Sequence, residues 1–237
     1  AAGVGDFNGD GIADILIGAK LASPSGRSSA GKSYVVFGRE GGAGGVLDLA
    51  TLGAQGIVVW GGGGSDSCGQ AVAGAGDFNG DGRPDILIGA DKAQIAKIGN
   101  AGQTYLIRGS GTPPEKIDLA SLGDLGTSIN GETAADRSGY AVAGGGDVDG
   151  NGSPDVIVVA KTATPVPAAP GGGCVDGRAR AGIVYVIHGT AIPPVKALAC
   201  TVSPMGQVHL SWTNVGAYDE IRISRNNTIV AVLPDSD

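Results

Sequence analysis

The chain has 237 residues, which is room for one large domain or two smaller ones. Its formal net charge of −7 argues against nucleic acid as a partner, and no apolar run is long enough to span a membrane. Glycine is abundant at 45 residues, yet 42% of the residues are apolar and gather in short runs. Short β-branched runs between Gly, Asp, Asn and Pro predict an ordered, all-β protein with many tight turns.

A nine-residue acidic loop occurs three times, at residues 6–14, 77–85 and 147–155. In each copy, side chains that carry oxygen fall at loop positions 1, 3, 5 and 9, and glycine falls at positions 4 and 6. A hard cation with many oxygen ligands suits this pattern, and Ca²⁺ fits it best. Because the loop recurs in register, it indicates a repeat architecture rather than one isolated Asp/Asn turn.

We predict about three Ca²⁺ ions, one in each acidic loop, with side-chain ligands at positions 1, 3, 5 and 9 and a backbone carbonyl from position 7. The predicted ligands are Asp6, Asn8, Asp10, Ile12 and Asp14; Asp77, Asn79, Asp81, Arg83 and Asp85; Asp147, Asp149, Asn151, Ser153 and Asp155. An EF-hand would require Glu at position 12, where this chain has Ile17, Ile88 and Val158. The loops are therefore predicted to lead into strands and to bind metal in a structural role. Asp/Asn turns without metal are the alternative.

Each repeat extends well beyond its acidic loop. Four elements recur along the chain: a glycine-flanked strand before the loop (68–76 and 138–146, with its end at 1–5), an apolar strand after it (14–19, 85–90 and 155–160), a strand around a tyrosine (30–38, 101–109 and 181–189) and an outer element (46–50 and 116–120). Four strands per repeat are typical of a β-propeller blade. Tyr34, Tyr105 and Tyr185 are then expected to pack between blades.

The repeats predict a propeller region at 1–194, divided at about 1–60, 61–130 and 131–194. The third repeat contains a Pro/Gly-rich insertion at 162–174, which is expected to be a surface loop. A different pattern follows at 195–237, where alternating apolar residues indicate half-buried strands and Asn226-Asn227 is a candidate hairpin turn. The fold predicted is thus a partial propeller of about three blades plus a truncated, sandwich-like segment.

The repeats resemble the FG-GAP repeat of integrin α-subunits and many bacterial surface proteins. The resemblance covers about residues 1–190 and rests on the acidic loop, the apolar strand after it and the strand around the tyrosine. The chain departs from the family at the dipeptide before the loop, where it has Cys68-Gly69 and Ser138-Gly139 in place of Phe-Gly. Family propellers usually close with about seven blades. We therefore expect either a fragment of a longer protein or several chains that combine.

The segment 195–237 resembles the start of a fibronectin type III module, because Trp212 in Leu-Ser-Trp lies where that family has a core tryptophan. Three cysteines show no metal-ligand spacing. In an extracellular setting two of them could pair, and Cys174 with Cys200 is the pair that we favour; three unpaired thiols are the alternative.

These patterns favour a non-enzymatic, calcium-stabilised adhesion or scaffold module of a larger secreted or cell-surface protein. Its partners would be a protein or glycan at a cell surface, or copies of itself. One alternative is a self-assembling extracellular protein whose partial propellers complete one another between chains. A second is an accessory binding domain of a secreted enzyme that acts on polysaccharide. The two histidines, His188 and His209, lie in strand patterns without a partner at dyad spacing, so we expect structural roles for them.

Overall fold

The computed structural model describes residues 1–41, 45–164 and 180–190, together with the backbone of four later strands. The chain divides into two compact units, Ala1–Thr190 and Ala191–Asp237. The strands of the first unit are β1 (Ala2–Gly5), β2 (Asp14–Ala19), β3 (Lys32–Val36), β4 (Gly56–Trp60), β5 (Ala71–Gly76), β6 (Asp85–Ala90), β7 (Gln103–Ile107), β8 (Lys116–Asp118), β9 (Gly126–Asn130), β10 (Ala141–Gly146), β11 (Asp155–Ala160) and β12 (Ile183–Ile187).

The described residues of the first unit form three sheets, one for each acidic loop. Their strand orders are β1-β2-β3-β4-β8, β5-β6-β7-β9 and β10-β11-β12. Neighbouring strands are antiparallel except that β8, which follows the second repeat's β7, runs parallel to β4 and extends the first sheet. Among the described residues, the helical turns are short 3₁₀ segments, and no helix is long and apolar enough to cross a membrane. The prediction of an all-β, partial β-propeller is confirmed.

The strand that pairs with the outer side of each tyrosine strand is not the one that the sequence pattern predicted. β4 and β9 take that position; of the segments expected there, 46–50 forms no strand, and 116–120 contributes β8, which pairs with β4 in the first sheet. The carboxylates of Asp48 and Asp118 accept hydrogen bonds from the N–H groups of Ala50 and Ala120, at 2.9 and 3.0 Å, and each begins a 3₁₀ turn. Because this local bond competes with strand pairing, the extended run ends there.

The second sheet is the centre of the hydrophobic core, because it is covered on both faces. All six residues of β6 are buried. Ile86 and Ile88 pack in the cluster that includes Leu16 and Val35 of the first sheet, whereas Leu87 packs in a second cluster with Val156 of the third sheet. Side chains alternate across a strand, so one continuous apolar run serves two interfaces.

A glycine bulge leads into every acidic loop. The register of the inner strand shifts just before Gly5, Gly76 and Gly146, whose φ angles are +73°, +68° and +67°. Side chains other than glycine rarely adopt this left-handed conformation. A bulge of this kind bends the strand and re-aims the residue that follows it, which here is the first aspartate of the loop. The repeated bulges therefore give the three loops the same starting geometry.

The second unit contains four strands, β13 (Lys196–Val202), β14 (Val208–Thr213), β15 (Glu220–Arg225) and β16 (Thr228–Pro234). They pair as two antiparallel hairpins, β13 with β14 and β15 with β16. The predicted turn at Asn226-Asn227, the predicted surface loop beyond residue 164 and the Cys174–Cys200 pairing lie outside the described residues.

Candidate metal centres

The aspartate at position 9 of each loop anchors the loop to its own sheet. Asp85 is fully buried; one of its carboxylate oxygens accepts the N–H of Phe78 in the loop at 3.1 Å, and the other accepts the N–H of Gly109 after β7 at 2.9 Å. Asp14 does the same with Phe7 and Gly38. Hydrogen bonds to a carboxylate are among the stronger ones in proteins, so this residue ties the loop to the strand end beside it.

The third loop repeats this anchor. Asp155 accepts hydrogen bonds from Val148 at 2.6 Å and from Gly189 at 3.0 Å. The same two bonds thus occur in all three repeats, each joining a loop to the segment after the tyrosine strand.

The side-chain oxygens at positions 1, 3 and 5 accept hydrogen bonds from backbone N–H groups further along the same loop. In the second loop, Asp77 accepts the N–H of Gly82 at 2.8 Å, Asn79 accepts the N–H of Asp81 at 3.0 Å, and Asp81 accepts the N–H of Arg83 at 2.9 Å. The equivalent bonds in the other loops join the pairs Asp6 and Gly11, Asn8 and Asp10, Asp10 and Ile12; Asp147 and Gly152, Asp149 and Asn151, Asn151 and Ser153. The three side chains of each loop are therefore held by the same short turn.

One carboxylate oxygen in the second loop is left without a partner. Oδ1 of Asp77 is buried from solvent and accepts no hydrogen bond, although Oδ2 of the same residue does. An unpaired carboxylate oxygen shielded from water is costly unless a cation or donor reaches it. A divalent cation within the loop would satisfy this oxygen, so the side chains present fit such an ion.

Burial and like charge both work against ionised carboxylates in the first two loops. Burial raises the pKa of Asp85 to about 6, and the neighbouring charge of Asp81 adds to the shift. Burial also raises the pKa of Asp14, with a smaller contribution from the charge of Asp10. A bound cation would offset both effects, since it favours the charged form of each carboxylate.

The third loop differs because a histidine reaches it. Nδ1 of His188 lies 3.1 Å from Oδ2 of Asp149 and 3.4 Å from Oδ1 of Asp155. Ligand atoms of these three residues lie within 4.8 Å of one another. Burial acts to raise the pKa of Asp155, but the hydrogen bonds from Gly189 and Val148 and the nearby His188 outweigh it and lower that pKa. Carboxylate repulsion is therefore relieved here by a different means.

The twelve side chains and three backbone carbonyls predicted as ligands all lie in the three loops, but the sequence pattern did not predict His188 as part of a site. The signal lay in a comparison between repeats. His188 stands directly before Gly189, where the other repeats have Phe37 and Arg108. Position 3 changes from Asn to Asp in the same repeat. Two coincident departures from the repeat would have pointed to this cluster.

Comparison with known proteins agrees with this architecture. Residues 1–36 and 69–107 match the model of the FG-GAP repeat family. These ranges contain the first two acidic loops and their flanking strands. The match does not reach the segment after residue 194, so the resemblance of that segment to a fibronectin type III module is not supported.

The relatives are large proteins of which this chain covers a small part. It is 35% identical over 182 residues to "Integrin alpha pat-2" of Caenorhabditis briggsae (67% of this chain, 13% of the relative). It is 34% identical over 173 residues to "Phosphatidylinositol-glycan-specific phospholipase D" of Bos taurus (71% and 18%), and 28% identical over 194 residues to human "Integrin alpha-7" (81% and 14%). The repeats and these relatives together support an FG-GAP, integrin-type domain.

Proposed function

We propose that the chain is a non-enzymatic adhesion or scaffold module of a larger secreted or cell-surface protein, stabilised by Ca²⁺ in its acidic loops. The buried, unpaired Oδ1 of Asp77 is the single observation that carries the calcium part, because it lies in a loop that already fits an oxygen-rich ion. We infer the extracellular setting from the similarity to the integrin relatives. The proposed division is a propeller region at 1–194, with blades at about 1–60, 61–130 and 131–194, and a separate segment at 195–237.

The proposed ligands are the side-chain oxygens at positions 1, 3, 5 and 9 and the backbone carbonyl of position 7, as in the sequence prediction. A cation bound there would bring together carboxylates that otherwise repel one another. It would also brace the loop against the strand end that the position-9 aspartate already holds. Metal binding would thereby stabilise the edge of each blade, and the rest of each blade would be free to present a binding surface.

We further propose that His188 gives the third loop a nitrogen ligand. Its separations of 3.1 and 3.4 Å from the two carboxylate oxygens resemble those between adjacent ligands around a small divalent ion, about 3.0–3.4 Å for metal–ligand bonds of about 2.1 Å. Imidazole suits Zn²⁺ and similar ions better than Ca²⁺. The third loop should accordingly accept either class of ion, whereas the first two should favour Ca²⁺.

Isothermal titration calorimetry of the metal-free chain tests the calcium sites. Ca²⁺ should bind with a stoichiometry of about three, one ion for each loop. Replacing Asp81 by Ala should remove one equivalent, and replacing Asp10 as well should remove a second. The matched control is Asp124→Ala, which removes a carboxylate outside the loops and should leave the stoichiometry unchanged. Absence of Ca²⁺ binding at millimolar concentration would refute the calcium part of the proposal.

A second candidate is an accessory domain of a secreted enzyme. The relative named as a phospholipase D favours it, since the chain covers only 18% of that protein. Under this alternative the catalytic residues would lie in another part of the parent protein. Sequencing the parent gene distinguishes the two candidates, because a catalytic domain on the same chain would favour the enzyme.

Self-assembly is a third candidate, favoured by exposed apolar side chains on the third sheet. Val184 and Val186 of β12 are 62% and 44% exposed on one face. A partner copy could cover them. Light scattering in Ca²⁺ tests this candidate, because a monodisperse monomer would exclude it.

A further inference from the structure

A cationic cleft lies at the ends of the strands opposite to the acidic loops. Strands β2, β6 and β11 each start at the last aspartate of a loop and end next to this cleft. The cleft has a volume of about 430 Å³ and is lined by Lys20, Lys92, Arg137, Tyr140 and Lys161, among others. We call these five residues the cationic cleft.

The charge of the cleft contrasts with that of the whole chain. Four of the 16 lysines and arginines converge here, although the chain carries a formal net charge of −7. No acidic side chain lines the cleft. Arg137 pairs through Nε with Oδ2 of the buried Asp91 at 2.9 Å, and Oδ1 of Asp91 has no partner among the described residues. Arg137 is thus neutralised, and the three lysines set the charge.

Two of the three lysines contact neutral groups rather than carboxylates. Nζ of Lys20 donates to Oε1 of Gln70 at 2.9 Å, and Nζ of Lys161 lies 4.1 Å from the centre of the Tyr140 ring. Within the described residues, none of the three lysines forms an ion pair. Acidic side chains of the described residues therefore do not compensate these positive charges, which makes the cleft attractive to anions.

The arrangement follows the repeat only in part. Lys20 and Lys161 lie directly after the equivalent strands β2 and β11, whereas the second repeat has Asp91 at that position and Lys92 one residue later. A ligand with a single negative charge would use only one of the three lysines, whereas a chain that carries several anionic groups could contact all three. Gln70 and Tyr140 add neutral hydrogen-bonding groups to the lining, and these suit sugar hydroxyls.

We propose that the cationic cleft binds an acidic polysaccharide through its sulfate or carboxylate groups. This inference deepens the proposed adhesion role and rests on it, because it names the chemistry of the partner. It does not depend on the metal loops, which lie at the other end of the strands.

Fluorescence anisotropy with a labelled, sulfated hexasaccharide tests the proposal in the full chain with Ca²⁺ present. The double variant Lys20→Gln, Lys161→Gln should weaken binding about ten-fold, because two unpaired charges leave the cleft. The matched control is Lys32→Gln, Lys116→Gln, which removes two lysines from a cleft that also contains Glu115. The control should bind within about two-fold of the parent chain, and raising the salt concentration should weaken binding by the parent chain more than by the cleft variant.

Three results would overturn the proposal: no binding by the parent chain, equal loss in both double variants, or tighter binding of a hexaglutamate peptide than of the saccharide. The last would assign the cleft to an acidic protein segment instead. Thermal melting of the same samples separates this test from the proposed calcium role. One informative outcome is that chelation leaves the melting temperature unchanged while the cleft variant alone loses saccharide binding. That result would refute the proposed calcium stabilisation and support the proposed saccharide site.

Discussion

The second and third sheets are built from the same repeat, yet they differ in how they are buried. In the second sheet every residue of β6 is buried, and both faces are covered by neighbouring sheets. In the third sheet, Val184 and Val186 of β12 are 62% and 44% exposed. Burial in this architecture is therefore set by the neighbours of a blade rather than by its own sequence, as expected for a repeat protein.

The acidic loops of these two repeats differ in a related way. The second loop leaves Oδ1 of Asp77 unpaired, and burial raises the pKa of Asp85 to about 6. In the third loop, His188 and two backbone hydrogen bonds lower the pKa of Asp155. The second loop thus leaves its carboxylate charge without an ion-pair partner among the described residues, whereas the third has part of that balance within the chain.

The difference in burial between the two sheets predicts the largest effect of a single substitution on the free energy of unfolding. Replacing Leu87 by Ala should lower the free energy of unfolding by about 3 kcal/mol, because it leaves a cavity between the second and third sheets. Replacing Val184 by Ala should cost less than about 0.5 kcal/mol, since its side chain is mostly in water already. Urea denaturation of the two variants measures both values. Similar losses would mean that the third sheet's face is covered in solution.

The second and third loops should differ in a smaller effect, the pH dependence of the free energy of unfolding of the metal-free protein. Burial raises the pKa of the folded Asp85 carboxyl to about 6 from its ordinary value of 3.8, so the stabilising contribution of its proton is complete below pH 3.8 and is lost as the pH rises through 6. Lowering the pH from 7 to 5 should therefore raise the free energy of unfolding by about 1 kcal/mol.

The controls for this prediction come from the two position-9 aspartates. Replacing Asp85 by Asn should reduce the gain in stability between pH 7 and 5. Replacing Asp155 by Asn should preserve it, because the folded pKa of Asp155 is lowered and its contribution is lost only at more acidic pH. An equal response in the two variants would show that the loops do not differ in charge balance.

A third effect concerns the metal preference of the third loop. Replacing His188 by Phe, the residue of the first repeat at this position, should weaken Zn²⁺ binding about ten-fold and leave Ca²⁺ binding at the other two loops unchanged. Replacing Arg108 by Phe is the matched change in the second repeat and should not alter Zn²⁺ affinity. Calorimetric titration with Zn²⁺ gives both affinities. Replacing His209 by Asn excludes the chain's other histidine as the binding site.

The sequence predicted the repeated elements well, because the strands after the loops and around the tyrosines carry strong apolar patterns. It misplaced the outer strand of each blade, since Asp48 and Asp118 start 3₁₀ turns that the repeat pattern does not reveal, although 116–118 does form β8. It did not give the contact between His188 and Asp149 directly, because 39 residues separate them and only the sheet brings them together. Contacts between distant segments depend on register, which a single sequence does not state.

Thermal unfolding of the parent chain in Ca²⁺ and in EDTA is the measurement that tests whether Ca²⁺ in the acidic loops stabilises the fold. At saturating Ca²⁺, each of the three sites should add about 2–3 kcal/mol, so that chelation lowers the melting temperature by at least about 12 °C. A variant with Asp10, Asp81 and Asp149 each replaced by Ala should melt at the same temperature in both conditions. An unchanged melting temperature of the parent chain in EDTA would contradict the account, because the loops would then be turns that hold themselves without metal.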